Sequence, residues 1–554
     1  MSHGQDAGPQ LAPGEAVRRQ CALLASTNQI SQPQRPEHIA GRHSSWDAGV
    51  YPAALPLLIL ALGFLTRLYA ARSAFLNADE ALIYFLSSQA TLAATYKASL
   101  LSAHPPLFYF LLHYWRLLGS SELALRLPSM LAGTGLCWLG YKWLGKVADG
   151  VTALVGLMLF CFAPSLVGLG AEVRQYSLLL FFFAACLYLL ETALQEDSGG
   201  RMLLFSLSLW LAVLTQYSAW LFCVSVGIYA LLRFARRLPT ARLLATWTGG
   251  QAVGVAIYGF LYRTQLPWLL KMAQVDKVFQ GKQSSLASIP RETFRLFHYL
   301  FSQPVVAGVV LLLYALGVAA LWRRPDSGVA SKPSGGQLAL LLLLPFLLSW
   351  AAALAHLYPY DGTRHSILLA VFVIAGASFG LSCYGRPGSW KKPLLAAALL
   401  TACYVFASPL GPYMKPRNQN RGLMNAAVAY AHQSAPPGAV FLVDDQSTYL
   451  FRYYFCRGQV APFSPVPWKF RDFACGDYRV AGSRQWMFTP EQLGPDLQRA
   501  ARVYRLRSAD PVWVFQAGWN VNKQPELRAK LQDFGCPQPR GFGENIVVCR
   551  LNIP

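Results

Sequence analysis

Between residues 53 and 410 the chain carries a series of apolar runs, and these limit what it can fold into more than any other feature. They lie near 53–70, 125–141, 151–170, 176–193, 202–216, 219–232, 244–262, 303–322, 338–355, 366–384 and 393–410, eleven in all. A helix needs about 20 apolar residues to cross a bilayer core. In hydrocarbon each backbone N–H and C=O must be satisfied within the segment, so runs of this kind are helices. Composition agrees: 54% of the 554 residues are hydrophobic and only 13% are charged, against roughly 25% in soluble domains. The chain reads as an α-helical polytopic membrane protein.

A net charge of +22 would suggest a nucleic-acid partner in a soluble protein. Here the basic residues mark sides instead. The connections "YKWLGKVADG", "RFARRLPTAR", "WRRPDSGVASKPSGG" and "YGRPGSWKK" hold twelve Lys or Arg between them, whereas 171–175, 216–219 and 356–365 hold only Arg174 and Arg364. By the positive-inside rule the first set is cytoplasmic, the N terminus is inside and the C terminus outside. The assignment requires a tight break at "TQYS", residues 215–218, because one long helix over 202–232 would invert every later loop. No nucleic-acid partner is expected, and the location expected is the inner (plasma) membrane.

Residues 1–50, rich in Gln, Pro, Ser and Gly, read as a disordered cytoplasmic tail, followed by a membrane domain over 51–410. Residues 411–554 alternate strand-like pieces ("GAVFLVDD", "PVWVFQ") with helical ones ("PELRAKLQDF") and read as a small extracytoplasmic α/β domain. Cys456, Cys475, Cys536 and Cys549 are an even set confined to that domain, as expected of disulfides in an oxidising compartment. Of the three possible pairings, the sequence-local one is favoured, Cys456 with Cys475 and Cys536 with Cys549. Asp444 and Asp445 read as a turn after the first strand.

Sorted by side, the unusual polar residues all fall outside. "NADEALIYF" at 77–85 follows the first span; "AHPPLFYF" at 103–110, "ELALRLPS" at 122–129, "AEVRQYS" at 171–177, "TQYS" and "HLYPYDGTRHS" at 356–366 join it. "EALIYFLSSQATLAATY" and "PPLFYFLLHYWRLLG" read as helices lying on the outer interface, and "LPWLLKMAQVDKVF" in the 263–300 loop reads likewise. Together they wall a cavity suited to a lipid with a charged head group. If Asp79 and Glu80 open a helix they point about 100° apart, so one can face the cavity while the other caps the backbone or meets a cation. Arg126, Arg174 and Arg364 stand at outer boundaries, where arginine either snorkels or grips phosphate in a two-pronged fashion. Glu172 and Arg174 have the alternative of pairing with each other. His104 and His365 are candidate phosphate donors or proton carriers; no metal-ligand spacing appears, and a divalent metal stays open.

In this order and on one side, "DEA", "HPPLFYFLL", "LALRLPS", "EVRQYSLLL" and "Y.YDGTRHSILL" resemble the bacterial family-39 type glycosyltransferases of the GT-C superfamily, whose relatives include protein O-mannosyltransferases and lipid A aminoarabinose transferases. The resemblance covers roughly residues 50–410. It implies transfer of a sugar from a polyprenyl-phosphate carrier to a lipid, glycan or protein acceptor, with inversion. It further implies that Asp79, first of the carboxylate pair with Glu80, is the essential acid and general base. Arg126 is the "RLPS" arginine, and Arg364 falls on the phosphate with Arg174, His104 and His365. Glu172, Tyr176, Tyr217 and Tyr360 line the cavity. Where aminoarabinose transferases have Lys before "PPL", this chain has His104. The rival reading is a transporter or flippase of lipid-linked glycans. Transporters place ionisable residues near the bilayer midplane in repeated halves, and neither feature is seen.

Overall fold

The computed structural model describes residues 51–553 except 101, 103, 268–284, 327, 384–388, 407–419, 458–470, 508–509, 520, 522–523 and 537–538. The expected N-terminal tail, most of the "LPWLLKMAQVDKVF" helix and the boundary near residue 410 lie outside the described residues. Within the described residues each apolar run coincides with a helix or a helix pair. Six helices are long and apolar enough to cross a membrane among the described residues, or seven if Gly150–Phe162 and Pro164–Gly170, bent by 58°, make one span. The count of eleven is not reached on that measure, for physical reasons. Gly199–Thr215 and Lys391–Phe406 are short, Glu122–Val147 carries four charged side chains, and Ala241–Thr264 is interrupted by Thr, Gln and Gly. The chain does break between Gly199–Thr215 and Ala219–Arg236, at residues 216–218.

After the first helix, Ala54–Ser73, the connecting segment forms three short helices, Ala78–Ser87, Leu92–Ser99 and Leu107–Trp115. The single helix expected from Glu80 to Tyr96 is therefore two. Thr91 accepts the Ala94 N–H at 3.1 Å and starts a new helix where the continuous one would have run.

Beyond helix Arg421–Ser434 lies a six-stranded sheet in the order β2-β3-β1-β4-β6-β5, formed by β1 (Val440–Val443), β2 (Phe473–Cys475), β3 (Tyr478–Gly482), β4 (Val512–Ala517), β5 (Arg540–Gly541) and β6 (Ile546–Leu551). Strands β3, β1 and β4 are parallel, and antiparallel strands close both edges. Asp444 is the N-cap of helix Asp445–Leu450 rather than a simple turn residue, accepting the Ser447 N–H at 2.9 Å. Cys456 is joined to Cys475 and Cys536 to Cys549.

This sheet domain does not stand apart from the membrane bundle. Phe75, Leu76, Ile83 and Leu86 of the first connecting segment share one apolar core with Phe441, Phe451 and Phe515. The Leu76 N–H donates to the Tyr454 hydroxyl at 2.6 Å, and that hydroxyl donates to the Glu122 carboxylate, which also meets Arg421 at 2.9 Å. Tyr454→Phe leaves the buried Leu76 N–H without an acceptor, an expected loss of about 1–3 kcal/mol. Faster deuterium exchange in the peptide holding Leu76 is the matching readout. Unchanged exchange there would show that Tyr454 does not fasten the segment.

Candidate active site

Asp79 and Glu80 follow Asn77, the N-cap of helix Ala78–Ser87. The Asn77 side chain accepts the Glu80 N–H at 2.9 Å, and Glu80 accepts the Asn77 N–H at 2.8 Å, which makes a capping box. Glu80 does more than cap. Its two oxygens also accept Arg126 Nε and Nη2, each at 2.8 Å, and the Val173 N–H at 2.8 Å. The rest of the Arg126 guanidinium donates to the carbonyls of Ala71, Ala74 and Phe75 at 2.7, 2.7 and 2.9 Å. All five guanidinium N–H groups and the four lone-pair positions of the carboxylate are thereby engaged, and both side chains are essentially buried. The expected catalytic role of Glu80 and phosphate role of Arg126 do not fit this geometry: neither has a group left for a substrate. Together they fasten the end of helix Ala54–Ser73 to the start of Ala78–Ser87.

Asp79, one residue earlier, faces another way. Its Oδ2 takes an ion pair from Arg174 and a second from Arg364 at 2.9 Å. Arg174 therefore pairs with Asp79 and not with Glu172. The Asp79 side chain keeps 15% of its surface exposed and that of Arg364 keeps 36%, so the cluster opens to its surroundings. Burial alone would push Asp79 up, but Arg174 and Arg364 outweigh it and hold the carboxyl below its usual range. His104 is driven the other way. Burial, then Arg174, Arg364 and His365, push its imidazole down to about 3, so it stands neutral. Its buried Nδ1 has no hydrogen-bond partner among the described residues. Burial, reinforced by Glu80, pushes Glu172 up to about 7 against the pull of Arg174, Arg364 and Arg126.

Tyr176 is buried beneath this cluster, with the Arg174 guanidinium 5.8 Å from its ring centre and the His104 ring set edge-on at 6.2 Å. Tyr217 donates its hydroxyl to Gln265. Tyr360, expected to line the cavity, is instead buried: its hydroxyl shares a 2.8 Å bond with Thr293, and its ring packs against Trp350. The His365 carbonyl accepts the Tyr358 hydroxyl at 3.1 Å, which ties the Arg364 turn to its own loop. Tyr109 and Tyr299, not singled out from the sequence, also face the cluster: the fields of Arg174 and Tyr176 reach both hydroxyls. Tyr109 lies inside the quoted "AHPPLFYF" stretch, so its position was on view; Tyr299 follows a loop that offers no comparable signal. Among the described residues no group of three His, Cys, Asp or Glu side chains gathers to hold a metal ion.

Residues 103–260 match the family described as dolichyl-phosphate-mannose-protein mannosyltransferase. No curated protein matches the sequence. Among solved structures the chain is similar to ArnT from Cupriavidus metallidurans in the apo state, with a TM-score of 0.51 at 13% identity over 89% of this chain and 97% of that one. The same protein bound to undecaprenyl phosphate aligns with a TM-score of 0.51 at 12% identity over 90% and 98%. The archaeal oligosaccharyltransferase AglB from Archaeoglobus fulgidus aligns at 0.45 and 11% identity, over 83% and 69%. The fold and the charged cluster thus define a multi-pass membrane protein of the GT-C fold. The matched family region runs from the stretch beside His104 to helix Ala241–Thr264.

Proposed function

We propose that this protein is a membrane glycosyltransferase that moves a sugar from a polyprenyl-phosphate carrier to a hydroxyl of a lipid, glycan or protein acceptor. The reaction takes place at the outer face of the cytoplasmic membrane, with the N terminus inside and the C terminus outside. The observation that carries this reading is the convergence of Arg174 and Arg364 on Asp79 beside neutral His104. Two guanidiniums against one carboxylate leave positive charge for a phosphate that departs as an anion. Preorganised cations of that kind contribute most to transfer when aimed at the charge that develops. Arginine suits the task because its planar fork matches phosphate oxygens. His104 holds a neutral ring N–H that can join them. The similarity to a protein solved with undecaprenyl phosphate supports the same class of carrier here. A single displacement at the anomeric carbon, with the acceptor on the face opposite the phosphate, inverts its configuration.

Membranes containing the protein, supplied with undecaprenyl-phosphate-linked mannose, glucose or aminoarabinose labelled in the sugar, are expected to release undecaprenyl phosphate and place label in an acceptor. Movement of intact donor between leaflets without cleavage of the sugar–phosphate bond would overturn the reading in favour of a flippase.

A further inference from the structure

Helices Pro304–Arg323 and Gly335–Leu354 are both long and apolar enough to cross a membrane. They run antiparallel and touch at two levels. The Tyr314 hydroxyl donates to the Leu342 carbonyl at 2.9 Å, and nearer the connection Gly335 lies so close to the Leu321 carbonyl that no side chain would fit there. Along this contact runs a groove of about 550 Å³. Ala315, Val318 and Ala319 are too short to fill the space beside Leu343, and Trp322 and Arg323 stand at the mouth, where the first helix stops.

From Tyr314 to Arg323 the helix rises about 14 Å, close to half of the roughly 30 Å of a bilayer's hydrocarbon. The groove therefore has the depth of one leaflet. Ala315 and Trp322 are exposed, so it opens away from the bundle. An apolar hollow of this kind offers water no polar partners, and in a membrane a hydrocarbon chain fills it.

Charge at the mouth decides which lipid that chain belongs to. Arg323 and Arg324 are exposed and make no ion pair among the described residues. Asp326, the one acid in 321–336, is already taken by Arg236. Arg233 fixes the connection by donating to the Ser331 and Lys332 carbonyls at 2.6 and 3.0 Å. A tryptophan at head-group level, beside an arginine whose fork matches phosphate oxygens, is suited to hold a phospholipid head. The mouth also lies at the end of the bundle away from Asp79, because helix Gly335–Leu354 starts beside it and leads to the loop that carries Arg364. A polyprenyl phosphate whose head meets Arg174 and Arg364 does not have its head here. In the orientation proposed above this end faces the cytoplasmic leaflet, where basic pockets between membrane helices take anionic lipids.

We propose that this groove is a binding site for an anionic phospholipid of the leaflet opposite the active site, with one acyl chain along Ala315 and Ala319 and the head-group phosphate on Arg323. Arg324 adds positive charge beside it.

The test exchanges the full-length protein into micelles holding phosphatidylglycerol and phosphatidylcholine with the same acyl chains, and native mass spectrometry weighs the lipid that stays bound. One phosphatidylglycerol per chain is expected, retained at least about fivefold better than phosphatidylcholine, the size of one arginine's attraction for an anionic lipid surface. Arg323→Gln is expected to abolish the preference. Arg237→Gln, which removes the same charge from the exposed end of helix Ala219–Arg236, is expected to keep it. Ala319→Trp fills the groove and is expected to lower the retention of both lipids. Arg323 is exposed, so its variant decides the matter even where the tryptophan disturbs folding.

Equal retention of the two lipids, or a preference that survives Arg323→Gln, would overturn the site. An equal fall in Arg237→Gln would mean that surface charge as a whole attracts the lipid and that the groove selects nothing. Displacement of phosphatidylglycerol by an equal amount of undecaprenyl phosphate would assign the groove to the carrier's tail instead. None of these outcomes depends on whether the protein transfers a sugar.

Discussion

Asp79→Asn is expected to lower transfer by at least about 10²-fold, the order found when one preorganised group that stabilises a transition state is lost, and yet to tighten the binding of undecaprenyl phosphate. The two effects part because Asp79 has two relations to the same cations. Arg174 and Arg364 both lean on its Oδ2, so a phosphate must compete with that carboxylate for their N–H groups. The amide keeps an oxygen in place but removes the charge, and the competition weakens. With the anion gone, the two guanidiniums repel each other and lose the spacing that the leaving phosphate needs. The expected signature is a lower rate together with a larger rise in unfolding temperature on adding undecaprenyl phosphate, since a ligand that binds only the folded state stabilises in proportion to its affinity. Full activity of Asp79→Asn would remove Asp79 from the site altogether. Lost activity with weakened phosphate binding would show that the carboxylate assists binding and does not compete with it.

How far this site can be read from the chain depends on which physical signal each residue leaves. The membrane helices leave a strong one, because an apolar run of about 20 residues has few other uses, and the break at residues 216–218 followed from counting length against charge. The divergence of Asp79 and Glu80 was also legible, since 3.6 residues per turn separates neighbours whatever they touch. Their partners were not. A lone Arg at a helix end reads the same whether it snorkels, grips phosphate or lies buried with all five donors engaged, and Arg126 is the third of these. Tyr360 misled for a related reason: an aromatic among polar residues gives no sign of which side it packs on. The core shared by the sheet domain and helix Ala78–Ser87 joins residues more than 350 apart in the sequence, as with Leu76 and Tyr454. No periodicity within either segment reports a pairing at that distance.

Arg126→Met is expected to destabilise the protein by about 3–5 kcal/mol, the usual loss when one partner of a buried ion pair is removed. Here the loss has two sources. Glu80, fully buried, loses both guanidinium contacts. In addition, the carbonyls of Ala71, Ala74 and Phe75, where helix Ala54–Ser73 ends, lose their donors. The second source is independent of charge, so the double variant Glu80→Gln with Arg126→Met is expected to recover only part of the loss. A thermal-unfolding cycle over the wild type, both single variants and the double variant separates the two. Since Asn77, Asp79 and Glu80 belong to one helix start, Arg126→Met is also expected to expose residues 74–80 to proteolysis before the rest of the protein unfolds. Full recovery in the double variant would mean that the carbonyl contacts contribute nothing. Resistance of residues 74–80 to proteolysis would mean that the pair is not what holds Asp79 in place.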